Sequence, residues 1–465
     1  MQSAYRFLVS AAHRSSGKTV VSAGLAAALT RRGLAVQTFK KGPDYIDPMW
    51  LAAASERPCH NLDFNLSRPD ELRREFARHG AQAAVCLVEG NLGLYDGLDP
   101  GGSDSNAALA RLLDLPVALV IDARGMSRGI APLLLGYRAF DPQLRFVGVI
   151  LSRVGGARHE AKLRAAIERY TDLPVLGAVH DDPRLAIAER HLGLVPANEH
   201  AAAQARIGEL AAAIEAQVDL ARLLELTAAP PLPCPHAAAA QSPARRVRLG
   251  VARDRAFGFY YAGDFAALEH AGAELCFFDA LRDARLPAVD GLFIGGGFPE
   301  HFARELEANA ALRAQIRAAL ARGLPAYAEC GGLMYLARTL TARGATHSMV
   351  GAIEGDVLMH ERPLGRGYVR LIASEAHPWL ASGAEIRAHE FHHSSIEGLA
   401  PGTRRAYRVE RGYGIDGNSD GIVAGRLLAS YTHLRSAGGF DWTARFVDFV
   451  RRAQCTDAPA LAAAH

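Results

Sequence analysis

The chain has 465 residues, enough at roughly 150 residues per domain for two or three domains with cores of their own, which excludes one small domain. Apolar residues make up 49% and charged residues 22%, and 52 Lys and Arg against 49 Asp and Glu leave a net charge of +3; neither a disordered chain nor a generic polyanion binder fits. The longest apolar run, residues 107–121, is interrupted by Arg111 and Asp114, short of the ~20 residues that cross a bilayer. The opening MQSAYRFLVSAAHRSSGK lacks a basic start and a cleavage site, and the six cysteines show no C-x-x-C spacing. A cytoplasmic chain with reduced thiols is expected.

From residue 5 to residue 179, short apolar runs (RFLVSAA, LAVQTFK, AVCLVEG, PVALVID, RFVGVIL, PVLGAV) alternate with stretches of helical period such as 20–32 and 160–170. This alternation predicts a parallel sheet covered by helices on both faces. An Ala-rich helical stretch, 201–226, is followed by AAPPLPCPHAAAAQSPARR, whose prolines and small residues do not sustain packed structure. A first domain over 1–227, a linker over 228–245 and a second domain over 246–454 are therefore expected. The second domain repeats the α/β alternation from VRLGVAR through VDGLFIGGG and LPAYAECGG to LLASYTHL, with a final helix near 442–452. Between 351 and 423, short strands and glycine turns predict an antiparallel excursion on the second sheet.

In FLVSAAHRSSGKTVVSAGLAAAL, the segment Ser15, Ser16, Gly17, Lys18 and Thr19 stands between an apolar strand and a helix, where backbone amides and the helix dipole cradle phosphate. Lys18 would neutralise phosphate oxygens and Thr19 would ligate Mg²⁺. Ala12 stands where the first glycine of the usual loop belongs. The next strand ends in FKKGPDYIDPMW, placing Lys40, Lys41, Asp44 and Asp47 where open α/β sheets bind ligands, and CLVEGNLGLYDG adds Glu89 and Asp96 in the same layer. Asp44 or Asp47 with Glu89 could serve Mg²⁺ alongside phosphate. Equally, the aspartates could shape a turn, and Tyr45, Ile46 and Trp50 could be core or a platform for a flat ligand.

LPAYAECGGLMYLA reads as strand, sharp turn and helix, with Cys330 at the turn as on a nucleophile elbow and the helix dipole favouring thiolate. The glycine loop FIGGGFPE, with Gly296 and Gly297, and Gly331 beside the cysteine could supply oxyanion-hole amides. His433 in SYTHLR suits a general base.

These motifs, together with HEFHHS, closely resemble the cobyrinic acid or hydrogenobyrinic acid a,c-diamide synthases of cobalamin biosynthesis over essentially the whole chain. The resemblance implies a dethiobiotin-synthetase-like P-loop domain followed by a class I glutamine amidotransferase domain of the cobyrinate type. It implies that glutamine is hydrolysed at Cys330 with His433 as base, and that ammonia passes internally to the first domain. There ATP and Mg²⁺ phosphorylate a carboxylate of a tetrapyrrole-derived macrocycle, and ammonia displaces the phosphate, at the a and c positions in turn. Asp47, Glu89 and Asp96 match the family's acidic positions near ATP, metal and substrate, and Tyr45 and Ile46 its substrate-side positions. The partners so implied are small molecules, with neither nucleic acid nor membrane, and a homodimer is left open. Two departures stand out: the phosphate loop is poor in glycine, and no Glu follows two residues after His433, so its orienting group is unassigned. The same amidation on sirohaem or sirohydrochlorin is the runner-up. A partner-binding P-loop ATPase with an inert second domain is the alternative of another class.

Overall fold

The computed structural model describes residues 4–190, 193–199, 202–233 and 246–462. The chain divides into two units, Met1–Ala237 and Ala238–His465.

In the first unit, strands β1 (Ala4–Ala11), β2 (Val36–Lys41), β3 (His60–Leu62), β4 (Val85–Glu89), β5 (Val117–Asp122), β6 (Phe146–Val154) and β7 (Val175–His180) form a parallel sheet in the order β3-β2-β4-β1-β5-β6-β7. Strands β2, β4 and β5 are buried at every position, which is why the sequence shows continuous apolar runs rather than alternation. Helix α1 (Lys18–Arg31) has ten buried residues, several of them alanines that let the helix lie close, and α2 (Ile46–Ser55) buries Trp50 completely. Burial of each large apolar side chain contributes ~1.5–3 kcal/mol. The three-residue β3 was missing from the sequence expectation because it is too short to show a period. The expected linker also begins too early: Ala228 and Ala229 pair antiparallel with β1, so they complete the first sheet, while residues 234–245 lie outside the described residues. The expected 201–226 helix is two helices, Ala203–Gln217 and Leu220–Thr227, the second capped by Asp219.

The second unit is built on nine strands: β8 (Val247–Ala252), β9 (Ala273–Phe278), β10 (Gly291–Ile294), β11 (Ala326–Glu329), β12 (Gly365–Ala373), β13 (Glu385–His392), β14 (Arg404–Arg411), β15 (Ser419–Ala424) and β16 (Leu427–Ser430). Their order is β9-β8-β10-β11-β16-β15-β14-β12-β13. The first five are parallel and the remaining neighbours antiparallel, the excursion expected from 351–423. A separate four-stranded sheet, which the sequence did not suggest, joins Thr339–Ala342, Ala345–Ser348, Asp356–Met359 and Ser394–Glu397. Helix α3 (Gly331–Leu336) follows β11, and α4 (Trp442–Ala462) continues ten residues past the expected end.

His377 gives this unit a pH-dependent component. Its Nδ1 accepts from the Trp379 and Leu380 amides at 3.3 and 3.0 Å and its Nε2 faces the Tyr407 hydroxyl at 3.1 Å; burial lowers its pKa to about 3. The folded state therefore holds the neutral ring while an unfolded histidine takes a proton below pH ~6.5, so this stability is present above pH ~6.5 and is lost as pH falls. The urea midpoint of wild type is expected to drop between pH 7 and pH 5 by more than that of His377→Gln; equal drops would remove His377 as the cause.

Candidate active site

In the first unit the phosphate loop joins β1 to α1. Gly17 caps the helix with φ of 85°, and a Cβ there would lie 2.6 Å from Ser152 Oγ, so both backbone and space require glycine. Ser15 also has positive φ, and its carbonyl accepts from Arg153, which is paired in turn with Asp122 at 2.8 Å. Ser16 is buried and its hydroxyl donates to the His13 carbonyl at 2.8 Å; Lys18 Nζ donates to the same carbonyl at 3.3 Å. Burial, then the positive charge of Lys40, lowers the Lys18 ammonium to about 8.

The register of β2 against β4 sets Lys40 directly beside Glu89. Lys40 Nζ donates to Glu89 Oε1 and Asp47 Oδ2, both at 2.6 Å, with Asp44 at 3.8 Å, and Thr19 Oγ1 donates to the same Glu89 oxygen at 3.0 Å. Burial opposes the ammonium, but the facing carboxylates outweigh it and hold the Lys40 pKa well above its usual range. Burial likewise pushes Asp47 up, yet the charge and hydrogen bond of Lys40 bring it below the usual range. Glu89 is raised by burial against the pull of Lys40, and Asp44 is raised to about 7 by burial and by Asp47. Thr19, Asp47 and Glu89 thus meet around Lys40, which the sequence reading placed at the ligand-binding strand end but did not make the centre of the cluster.

The other first-domain candidates lie around this cluster. Lys41 is buried and donates to Asn91 Oδ1 at 3.0 Å. Asp44 Oδ1 accepts from the Ile46 and Asp47 amides, so it also shapes the turn into α2. Tyr45 and Ile46 are each only 8% exposed, packed as core side chains. Asp96 is exposed and its carboxylate accepts from the Gly93 amide at 2.9 Å.

In the second unit Cys330 sits between β11 and α3 with φ of 47° and ψ of −100°, a conformation that L-residues adopt at strained elbows. Its amide donates to the Ser430 carbonyl at 2.7 Å, tying the elbow to β16. The expectation that the helix dipole favours thiolate is corrected: burial, followed by the charge of Glu300, pushes the thiol well up, so the resting group is protonated. The Sγ–H points to the Phe391 carbonyl at 3.8 Å.

Gly296 and Gly297 pair with Phe257–Phe259 as a short strand rather than an exposed loop. A Cβ on Gly331 would lie 3.0 Å from the Gly297 nitrogen and one on Gly296 2.5 Å from His433 Cε1, so the three glycines let loop, elbow and imidazole approach closely. His433 is buried; its ring stacks on His389 with centroids 5.0 Å apart, and its Nδ1 lies 3.4 Å from Glu329 Oε2. His389 and Glu329 were missed. Both stand in motifs already noticed, HEFHHS and AECGG, but nothing in their spacing connects either to a residue forty or a hundred positions away.

Comparison with known proteins decides the family. Residues 11–195 match the family described as the CobQ/CobB/MinD/ParA nucleotide binding domain, and residues 248–439 that described as the CobB/CobQ-like glutamine amidotransferase domain. The chain is 45% identical over 454 residues to the cobyrinate a,c-diamide synthase of Magnetococcus marinus, covering 96% of this chain and 97% of the relative. The chain belongs to the cobyrinate a,c-diamide synthase family. Similar family members include those of Syntrophotalea carbinolica, 42% identical over 96% of this chain and 98% of the relative, and Dehalococcoides mccartyi, 40% identical over 95% and 97%. In this family the first unit is the nucleotide-binding domain, with ATP as co-substrate, and the second the glutamine-using domain. Among the described residues no helix is long and apolar enough to cross a membrane.

Mg²⁺ is implied with ATP. Among the described residues no group of three or more His, Cys, Asp and Glu could hold a metal ion by itself. Thr19, Asp47 and Glu89 nevertheless offer hard oxygen donors, and Glu89 Oε2 is buried without a hydrogen-bond partner. This incomplete set suits Mg²⁺, which takes one or two carboxylates and fills its shell with phosphate and water oxygens.

Proposed function

We propose that the chain amidates the a and c carboxylates of a corrinoid ring, cobyrinate or hydrogenobyrinate, using glutamine as nitrogen donor and ATP as activator. The observation that carries this reading is the likeness along nearly the whole chain to synthases of that name. The buried thiol and imidazole in one unit and the Lys18–Lys40–Glu89 cluster in the other supply the two half-reactions it requires.

Glutamine hydrolysis begins at Cys330. His433 takes the thiol proton, the sulfur attacks the side-chain amide carbon, and the Gly297 and Gly331 amides, next to Gly296, stabilise the oxyanion. The proton moves from His433 to the departing nitrogen, ammonia leaves, and water hydrolyses the thioester to glutamate. In the first unit, Ser15, Ser16, Gly17 and Lys18 hold the ATP phosphates. Thr19, Asp47 and Glu89 would hold Mg²⁺, which supplies charge neutralisation on the phosphates when bound. A carboxylate is a poor electrophile at neutral pH; transfer of the γ-phosphoryl group to it creates a leaving group that ammonia displaces. Lys41, Asp44 and Asp96 form the substrate side of this reading, with the core side chains Tyr45 and Ile46 packed behind them.

Ring choice is tested by incubating the protein with ATP, Mg²⁺ and glutamine beside cobyrinic acid, hydrogenobyrinic acid, sirohydrochlorin or sirohaem in parallel. Corrinoid rings should gain two amides through a transient monoamide, because one phosphate site presents one carboxylate at a time. Exclusive turnover of sirohaem or sirohydrochlorin would overturn the corrinoid assignment.

A further inference from the structure

We propose that Glu329, the residue directly before the nucleophile, is the positioning carboxylate of the glutaminase site: it holds the Nδ1 side of His433 so that Nε2 serves the Cys330 thiol. The inference rests on the glutaminase reading of Cys330. A carboxylate in this role is ordinarily sought downstream of the histidine, where this sequence has Leu434 and Arg435. Instead Glu329 Oε2 lies 3.4 Å from His433 Nδ1, with both side chains 3% exposed.

The remaining contacts fix that carboxylate rather than let it wander. Its Oε1 accepts from the Tyr327 hydroxyl at 2.7 Å and from the Leu434 amide at 2.8 Å, so one oxygen is anchored to the backbone of the residue after His433. Strands β11 and β16 pair Glu329 with Ser430, which brings the end of one strand to the base of the His433 segment. On the ring's other face His389 stacks at an interplanar angle of 17°, and His389 and His433 exchange backbone hydrogen bonds at 2.8 and 3.4 Å. Burial holds His389 far below its usual range, so it packs as a neutral ring and adds no competing charge. Ionisable groups facing this cluster include Tyr261, whose hydroxyl lies 3.3 Å from His389 Nδ1, together with Cys330, Tyr260, Tyr327, Tyr407, Asp264 and Arg435.

The chemistry follows from charge. When His433 takes the Cys330 proton, it becomes an imidazolium in a water-poor site, and an anion on Nδ1 stabilises it while fixing the tautomer whose Nε2 is a base. The proton travels only between sulfur, His433 and the leaving ammonia. Glu329 and Cys330 are consecutive, so one strand end carries both the nucleophile and the group that orients its base.

The test is glutaminase kinetics of Glu329→Gln and Glu329→Asp beside wild type and Cys330→Ser. Glu329→Gln keeps an acceptor for the Leu434 amide but loses the charge. Its kcat is expected to fall about 10²–10⁴-fold with KM for glutamine nearly unchanged, and the acidic limb of its kcat/KM profile to move to lower pH. Glu329→Asp should recover part of kcat and move the limb back. A Glu329→Gln enzyme with wild-type kcat and an unmoved acidic limb would overturn the proposal. If Glu329→Gln fails to fold, Glu329→Asp decides: an unaltered kcat overturns the proposal, and a kcat loss at constant KM supports it. Absence of glutaminase activity in wild type would instead overturn the reading of Cys330 itself.

Discussion

Cys330→Ser is expected to abolish glutamine-dependent synthesis, a loss of at least about 10⁴-fold, while synthesis with free ammonium continues near the wild-type rate. The thiol sits on a strained elbow, and serine places a far less acidic hydroxyl there, which His433 cannot activate to the same extent. The phosphate loop and carboxylate cluster belong to the other unit and do not include this residue. Amide formation followed with glutamine and with ammonium chloride as alternative donors reads the effect. Loss of both activities would contradict a nitrogen site separate from the activation site.

Lys18→Ala and Glu89→Gln are expected to do the reverse: amidation from either donor falls by roughly 10²–10³-fold or more while basal glutamine hydrolysis remains measurable. Lys18 is a buried ammonium at a helix N-terminus that donates to the His13 carbonyl, a position suited to accepting phosphate charge. Glu89 joins Lys40 and Thr19, and its loss frees the Lys40 ammonium from one of two carboxylates 2.6 Å away. Unchanged ammonia-dependent amidation in both variants would remove this cluster from the activation step.

The two sites differed in how much of them could be read from sequence, and the difference has a physical cause. The phosphate loop and the Cys330 elbow are local: a strand end, a turn and a helix start occupy a dozen consecutive residues, and small residues mark where the backbone must bend or approach a ligand. Gly17 illustrates this, since its left-handed φ and its closeness to Ser152 both require glycine. What escaped depends on register. Lys40 meets Glu89 because β2 lies beside β4, and Glu329 meets His433 because β11 lies beside β16; neither pairing follows from spacing along the chain. Burial was misjudged for the same reason. A helix N-terminus suggested a thiolate at Cys330, but the side chains enclosing it come from segments that the local motif does not contain. Tyr45 and Ile46, equally consistent with a platform or with core, are packed as core because α2 folds back onto α1 and the sheet.

The most direct test of the account follows two isotopes through one reaction. Cobyrinic acid labelled with ¹⁸O in its carboxylates is incubated with ATP, Mg²⁺ and [amide-¹⁵N]glutamine, and ring and phosphate are analysed by mass spectrometry. Activation of each carboxylate by phosphoryl transfer predicts that every ¹⁵N gained by the ring is matched by one ¹⁸O in the released phosphate, up to two per ring. A ring that gains ¹⁵N while the phosphate stays unlabelled, or that gains none while glutamine is consumed, would contradict the account.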